Sequence, residues 1–254
     1  MRMRFILMLM MVAVSVIADA QRVIDRRAGD TQGVVDRKAG DAQWTVERIP
    51  DDVFRRMEGK SFGKGCTLKR DDLRYLRLRH WDKDGRPQMG EMVCNKAIAE
   101  DVVEIFRALY EDGYRIERMR LIDDYDADDE RSMEANNTSC FNFRMMTGSR
   151  TRVSKHGLGM AIDINPLYNP YVKGNVVSPK GGRAYAWNRD KVGSGKAAAA
   201  GKVSSAKNTA AGRDRSEVGM VIRKGDACYR EFVKRGFTWG GAWTHLKDYQ
   251  HFEK

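Results

Sequence analysis

The chain has 254 residues, of which 42% are hydrophobic, so it is long enough to bury the core of one ordinary domain. Its formal net charge is +11, but the basic residues are scattered, and no helical segment shows a one-sided Lys/Arg stripe with interleaved aromatic residues. We therefore expect no nucleic-acid partner, and we interpret the excess charge as a solvated positive surface that aids solubility.

Residues 1–20 have the pattern of a secretory signal peptide. Arg2 and Arg4 precede an apolar run over residues 5–17, and residues 18–20 read Ala-Asp-Ala, which is an A-x-A cleavage site. An uncleaved membrane anchor is the alternative, although the run is short for a transmembrane helix. We expect an exported protein with no stable membrane insertion after cleavage. Such a protein can meet anionic polymers of the cell envelope.

Residues 21–50 are predicted to form a polar tether. An 11-residue unit occurs twice in it, beginning at Val23 and again at Val34. Two copies are too few for a solenoid, which needs at least three repeats to bury a core. The folded domain is therefore expected over residues 51–254, and residues 50–64 are its amphipathic entry segment.

Four cysteines occur in the chain, and none has a C-x-x-C spacing: Cys66, Cys94, Cys140 and Cys228. This spacing does not favour a cysteine zinc site. An exported chain permits disulfides, and four cysteines allow three full pairings, among which the sequence does not choose. Buried free thiols are the other possibility.

The first half of the domain predicts a hairpin followed by a helix. Residues 73–80 alternate between apolar and polar, residues 82–87 have turn chemistry, and residues 91–94 form the second strand. Asn95 is then expected to cap a helix that ends at Gly113. Apolar residues recur at helical spacing along that helix, so we interpret them as core.

The remaining elements complete an α+β pattern. Residues 116–122 predict a third strand, and a last helix is expected to begin at Asp226 and to end at Gly236. The acidic run over residues 123–130 does not fit a calcium loop, because Asp129 occupies the position that requires glycine. We expect a solvated loop there. Together the elements predict an α+β fold, with a mainly antiparallel sheet and flanking helices.

Residues 191–217 are of low complexity, rich in glycine, alanine, serine and lysine. Such a segment buries little apolar area, so it is predicted to be a flexible insertion in the domain. The sequence does not give its role.

The most informative stretch is residues 154–166. His156 lies in a glycine-containing loop, and Asp163 follows in an apolar run that predicts a buried strand. A buried carboxylate without a partner is costly, and a cation shared with His156 would supply one. His251, near the C-terminus, offers a third ligand, and two imidazoles, a carboxylate and an open position are the ligand set of a catalytic zinc site. Taken alone, a His–Asp pair of this spacing is more often a structural hydrogen bond than a metal site.

Several motifs resemble those of one family and occur in the same order. They are Ser-x-His-x-x-Gly-x-Ala-x-Asp-x-Asn-Pro at 154–166, Asn-Pro-Tyr at 169–171, Gly-Phe-Thr-Trp-Gly-Gly-x-Trp at 236–243 and Asp-x-x-His-Phe-Glu at 248–253. From about residue 72 to residue 254 the chain resembles the zinc D-alanyl-D-alanine carboxypeptidase and L-alanyl-D-glutamate endopeptidase family, the VanY-like peptidoglycan peptidases. The resemblance implies a Hedgehog/D,D-peptidase-like fold and a zinc peptidase domain over residues 51–254.

The resemblance also implies roles for five residues. His156, Asp163 and His251 would hold Zn²⁺, although such a ligand set also accepts other divalent ions. Asp248 would be the general base, and it needs a bend in the chain to converge with His251, because residues three apart oppose each other on a strand. Arg144 would bind a substrate carbonyl or carboxylate and stabilise the oxyanion. An ordinary surface arginine is the alternative for Arg144.

The implied activity is hydrolysis of peptidoglycan stem peptides by metal-activated water. D-Ala-D-Ala carboxypeptidases and L-Ala-D-Glu endopeptidases share these motifs, so the bond cleaved stays open. The alternative function is a catalytically silent, zinc-stabilised cell-wall-binding module, which has no need of Asp248. We expect a monomer located in the periplasm or outside the cell.

Other residues near these motifs have structural predictions. Ser154 is expected to be a loop hydrogen bonder, since no Ser-His-acid set accompanies it. His245 is predicted to be an exposed loop histidine, with a contact to the substrate or to a metal ligand as the alternative, and His80 is predicted to be structural. At least one of Trp239 and Trp243 is expected in the core, and lining of the substrate cleft is the alternative role.

Overall fold

The computed structural model describes residues 43–146, 148–187, 189 and 220–254. The predicted signal peptide at 1–20, most of the predicted tether at 21–50 and the predicted insertion at 191–217 lie outside the described residues. The domain boundaries therefore stay predictions. None of the helices in the described ranges has the length and apolar character needed to cross a bilayer.

Helices and largely antiparallel sheets alternate along the described part of the chain, which confirms the predicted α+β class. The α-helices there are α1 (Asp51–Met57), α2 (Ala99–Glu111), α3 (Asp129–Glu134) and α4 (Ala227–Lys234). The strands there are β1 (Thr45–Glu47), β2 (Leu73–Trp81), β3 (Pro87–Asn95), β4 (Arg118–Met119), β5 (Asn137–Thr138), β6 (Ala161–Asp163), β7 (Tyr171–Lys173), β8 (Val176–Ser178), β9 (Thr238–Trp239), β10 (Lys247–Asp248) and β11 (His251–Glu253).

The predicted hairpin forms the first sheet. β2 and β3 pair antiparallel over their whole nine-residue lengths, and β1 pairs with the outer edge of β2. In the turn, the Asp82 carboxylate accepts hydrogen bonds from the backbone N–H groups of Asp84 and Arg86. Gly85 has a φ of 75°, a left-handed conformation that glycine adopts without steric cost.

Helix α2 packs against this hairpin with an apolar stripe and ends at the predicted Gly113, whose φ is 75°. The prediction that Asn95 caps the helix was wrong. Ile98 is the N-cap residue, and the Asn95 carboxamide instead accepts from Ala97 N–H within the preceding turn. The Asn95 Nδ2 group donates to Leu158 O, so this residue ties the end of β3 to the loop that follows His156.

The region after α2 differs from the prediction. The expected strand at 116–122 is reduced to β4, which pairs in parallel with β5, and the chain then enters a 3₁₀ helix at Ile122–Tyr125. The acidic run is only partly the solvated segment that was predicted, because Asp124, Asp126 and Asp128 are exposed but Asp123 is buried. Asp123 is only 3% exposed, because its carboxylate accepts from both the backbone N–H and the hydroxyl of Ser61, each at 3.0 Å. The end of the run forms the first turn of α3.

Two small antiparallel sheets form the C-terminal part, one ordered β6-β11-β9 and the other β10-β7-β8. Helix α4 begins after Asp226, whose carboxylate accepts from Tyr229 N–H at 2.7 Å, as the sequence predicts for an N-cap. Phe232 on α4 stacks on Phe252 of β11 with ring centroids 4.1 Å apart. This contact fixes the helix against β11, the central strand of the β6-β11-β9 sheet.

All four cysteines are free thiols. Cys94, Cys140 and Cys228 are buried, and burial raises the pKa of each of these thiols. Because the thiolate is the reactive form, these three side chains are inert packing residues. The sequence leaves open both disulfides and free thiols, and the structure shows free thiols.

Candidate metal centre and active site

The loop that carries His156 is held by backbone contacts. Ser154 Oγ accepts from Gly157 N–H at 2.9 Å, which is the predicted loop role of this serine. Gly157 sits so close to Arg144 that an added Cβ would lie 2.8 Å from the Arg144 carbonyl oxygen. Tight packing of this kind leaves the imidazole of His156, which is 6% exposed, little freedom.

Asp163 and His251 are brought together by strand register. β6 and β11 pair antiparallel, with His251 directly opposite Asp163. Residues directly opposite each other in an antiparallel pair project from the same face with Cβ atoms about 5 Å apart. The aspartate of the central motif and the histidine of the C-terminal motif are therefore neighbours in the sheet, although 88 positions separate them along the chain.

The three predicted ligands form one compact group. His156 Nε2 lies 3.1 Å from His251 Nδ1 and 3.3 Å from Asp163 Oδ2, and His251 Nδ1 lies 3.1 Å from Asp163 Oδ1. In a tetrahedral zinc site with bonds of about 2.0–2.1 Å, the ligand atoms are about 3.3 Å apart. The spacing of this triad therefore fits a small cation at its centre.

Each imidazole is oriented by a hydrogen bond at its other nitrogen. His156 Nδ1 lies 2.8 Å from the Cys140 carbonyl oxygen, and His251 Nε2 lies 3.1 Å from a carboxylate oxygen of Glu253. Both partners only accept, so the protons belong on His156 Nδ1 and His251 Nε2. The lone pairs of His156 Nε2 and His251 Nδ1 then point towards each other. Their repulsion must be relieved by a metal ion or by a shared proton.

Each charged side chain of the triad influences the protonation of its neighbours. Burial alone would raise the pKa of Asp163, but His156 and His251 beside it hold that pKa below its usual range. Burial would lower the pKa of His251, but hydrogen bonds to Asp163 and Glu253 raise it to about 10. The surroundings therefore favour a positive charge between the three side chains. A donor set of two imidazole nitrogens and one carboxylate suits zinc.

Asp248 reaches the same site through a change of sheet. It lies on β10, which pairs with β7, whereas His251 begins β11 in the other sheet. The expected bend is thus present at Tyr249 and Gln250. Asp248 Oδ1 is buried and has no hydrogen-bond partner in the described part of the chain. Burial and the neighbouring Asp163 carboxylate raise the pKa of Asp248 to about 6.

Arg144 adjoins the His156 loop through its backbone, since its carbonyl oxygen accepts from Ser154 N–H at 3.0 Å. Its side chain points to the start of α3, where Nε lies 2.7 Å from Asp129 Oδ2. Its Nη1 atom is buried without a hydrogen-bond partner among the described residues. The structure thus places the Arg144 side chain in a salt bridge beside the site, with one nitrogen unpaired.

Glu253 is the residue that sequence reasoning missed. It lies two positions after His251 on β11, and residues two apart on a strand project from the same face. That period-two relationship could have identified it as the partner of the histidine. No comparable signal in the sequence points to the Cys140 carbonyl, because a backbone contact depends on the fold alone.

The residues with structural predictions lie as expected. His245 is exposed, and His80 is buried with Nδ1 2.7 Å from the Ile116 carbonyl oxygen. Trp239 is a core residue at 7% exposure. Trp243 instead flanks the site, with its ring centroid 5.4 Å from that of His251.

Comparison with known protein families supports a peptidase. Residues 147–254, which carry the triad and Asp248, match the family described as D-alanyl-D-alanine carboxypeptidase. The predicted resemblance to the VanY-like peptidases is confirmed over these residues. Arg144 lies just before the matched range. Neither the curated proteins nor the solved structures gave a match to the chain.

Proposed function

We propose that the protein is a zinc-dependent peptidase that hydrolyses peptidoglycan stem peptides, with a Hedgehog/D,D-peptidase-like domain. The observation that carries the proposal is the triad of His156, Asp163 and His251, whose ligand atoms all lie within 4.8 Å of one another. Two imidazoles with anchored distal nitrogens and one buried carboxylate are suited to hold Zn²⁺ and to leave a position open for water. The family match supports a peptide of the cell wall as substrate.

Zinc, when bound, would lower the pKa of a coordinated water to about 7 and polarise the scissile carbonyl. The role of Asp248 follows from its environment. Its buried oxygen is free to accept a proton from the attacking water, and a pKa of about 6 leaves it mostly ionised near neutral pH. Asp248 then returns that proton to the leaving amine as the peptide bond breaks.

Arg144 supplies a second cationic group. A guanidinium held in a fixed orientation stabilises negative charge that develops on a substrate oxygen, because no reorganisation is needed during the reaction. Its salt bridge to Asp129 provides such a hold, and the unpaired Nη1 leaves a donor for the substrate.

The substrate bond is either the terminal D-Ala-D-Ala bond or the L-Ala-D-Glu bond, and we propose both as candidates. The proposed location is the periplasm or the cell exterior, where such stem peptides occur, and we propose that the protein acts there as a monomer. These assignments rest on the family match and on the sequence pattern of residues 1–20.

The second candidate is a silent wall-binding module that keeps zinc for stability. Asp248 argues against it, because a binding module gains nothing from a buried carboxylate whose oxygen lacks a partner. The test is a digest of purified peptidoglycan and defined muropeptides, read by mass spectrometry, with and without chelator and with zinc added back. Zinc-dependent loss of D-Ala, or scission after L-Ala, supports the peptidase. No cleavage by folded, zinc-loaded protein supports the module.

A further inference from the structure

Helix α3 turns one of its faces towards the proposed active site. Asp129 and Met133 are four residues apart on this helix and so lie on the same face. The Asp129 carboxylate contacts Arg144, and the Met133 sulfur lies 3.5 Å from Gln250 Nε2. Gln250 directly precedes the candidate ligand His251. The acidic run that begins α3 is thus connected to the site at two points.

The Asp129 carboxylate is itself fixed in position. One oxygen lies 2.7 Å from Arg144 Nε, and the other accepts from Asn142 Nδ2 at 2.9 Å. Asn142 is 5% exposed, and its backbone N–H donates to the carbonyl oxygen of His156 at 3.2 Å. A continuous set of hydrogen bonds therefore runs from the backbone of a candidate metal ligand through Asn142 and Asp129 to the guanidinium of Arg144.

The orientation of Arg144 leaves a specific donor unused. Because the guanidinium is planar, a bond at Nε fixes the directions of its other N–H groups. Nη1 is buried, yet it has no acceptor among the described residues. A buried N–H of a charged group without an acceptor is costly, so this geometry is suited to an oxygen that arrives with a ligand.

We propose that Asp129 is a positioning residue, which holds Arg144 so that Nη1 meets a carboxylate or carbonyl oxygen of the peptide substrate. The inference rests on the proposed function and deepens it. Asp129 does not touch the substrate; it acts through Arg144.

The test begins with Asp129→Asn, which keeps the size of the side chain but removes the negative charge and turns an N–H group towards Arg144 or Asn142. Loss of one charge-assisted hydrogen bond predicts a fall in kcat/KM for a defined muropeptide of about 10- to 100-fold. Zinc content should stay at the wild-type value. Asp126→Asn is the matched control, because Asp126 belongs to the same acidic run but pairs with Lys60 and Arg131.

A double-mutant cycle with Arg144→Lys separates positioning from a general structural effect. If Asp129 acts through Arg144, Asp129→Asn has little further effect once the guanidinium is gone. Full additivity of the two losses, or wild-type kcat/KM in Asp129→Asn, overturns the inference. Asp129→Glu, which restores the charge, should recover part of the activity if the thermal midpoint is unchanged.

Equilibrium binding keeps this inference separate from the proposed chemistry. The dissociation constant of the muropeptide is measured by isothermal titration calorimetry for Asp248→Asn protein and for the Asp248→Asn, Asp129→Asn double variant. Weaker muropeptide binding by the protein that also carries Asp129→Asn supports the positioning role. Absence of cleavage by the wild-type protein would refute the proposed peptidase activity, but it would leave this binding result standing. Equal binding, together with unchanged kcat/KM in active protein, refutes the positioning role alone.

Discussion

His251 and Glu253 project from the same face of the last strand, with Nε2 of the histidine 3.1 Å from a carboxylate oxygen of the glutamate. The contact fixes the proton on Nε2 and directs Nδ1 into the group formed with His156 and Asp163. It also lowers the pKa of Glu253, so the carboxylate stays ionised beside the imidazole. The basicity of one candidate ligand is therefore set by a residue two positions along the chain.

Glu253→Gln is predicted to weaken zinc binding while leaving the fold intact. Glutamine keeps an acceptor for Nε2–H but removes the charge that makes the imidazole a stronger ligand. Removal of such an outer partner typically costs about 10- to 100-fold in metal affinity. The zinc dissociation constant is measured by competition with a chromophoric chelator. Glu231→Gln on α4, which removes the charge from the partly buried pair with Arg235, is the control. Equal affinities for wild-type and Glu253→Gln protein would contradict the orienting role.

His156→Ala and Asp163→Asn are each predicted to abolish stoichiometric zinc binding. Either change removes one of three ligand atoms, and the remaining two cannot saturate a tetrahedral ion. Metal content of the purified variants is measured by elemental analysis after zinc loading and desalting. His245→Ala removes an exposed histidine outside the triad and should retain one zinc per chain. Full occupancy in either ligand variant would remove that residue from the site.

Asp248→Asn is predicted to retain zinc and to lose turnover. The amide cannot accept a proton, and a positioned general base contributes about 10²- to 10⁴-fold to the rate. Release of D-Ala or of a peptide fragment is followed under saturating muropeptide. Asp101→Asn, on the outer side of α2 where the carboxylate pairs with Lys254, is the matched control. If Asp248→Asn turned over substrate at the wild-type rate, another group would have to be the base.

The candidate ligands could be predicted from sequence because each lies in a local pattern. His156 and Asp163 share one motif, and the apolar run around Asp163 correctly predicts strand β6. The hairpin of β2 and β3 was predicted for the same reason, since alternation and turn residues are local signals. Local patterns do not give the register in which two strands pair. Asp163 lies opposite His251 only because β6 pairs with β11 in this register.

The prediction for Asn95 was wrong, and the prediction for the acidic run holds only in part, because contacts in the folded protein outweigh the local sequence signals. The acidic run has the composition of a solvated loop, but Ser61 and Arg144 supply partners that bury or fix Asp123 and Asp129. Asn95 has the identity of a helix cap, yet its carboxamide is used in a turn and on Leu158. Ser61, Arg144 and Leu158 lie far away in sequence from the residues they contact, so no local rule could have found these partners. The contact of Asn95 with Ala97 is a local turn, which competes with the capping role that was predicted for the same side chain.

Gly240 packs closely against the segment that joins Asp248 to His251. An added Cβ would lie 2.6 Å from the Asp248 carbonyl oxygen, 2.9 Å from Asp248 Cβ and 3.3 Å from His251 Cβ. The first of these is a backbone atom, which cannot move aside as a flexible side-chain end can. Gly240→Ala must therefore shift the candidate base and a candidate ligand together.

We predict that Gly240→Ala lowers kcat/KM by more than 10-fold and destabilises the fold by about 1–3 kcal/mol, the usual cost of overpacking. Activity on a defined muropeptide, zinc affinity and chemical denaturation are measured on the same preparation. Ala242→Ser, at an exposed position of the same 3₁₀ turn, should match wild type in all three. A Gly240→Ala protein with native stability and native kcat/KM would show that the segment from Asp248 to His251 tolerates displacement, and the close packing against Gly240 would then have no part in holding the site.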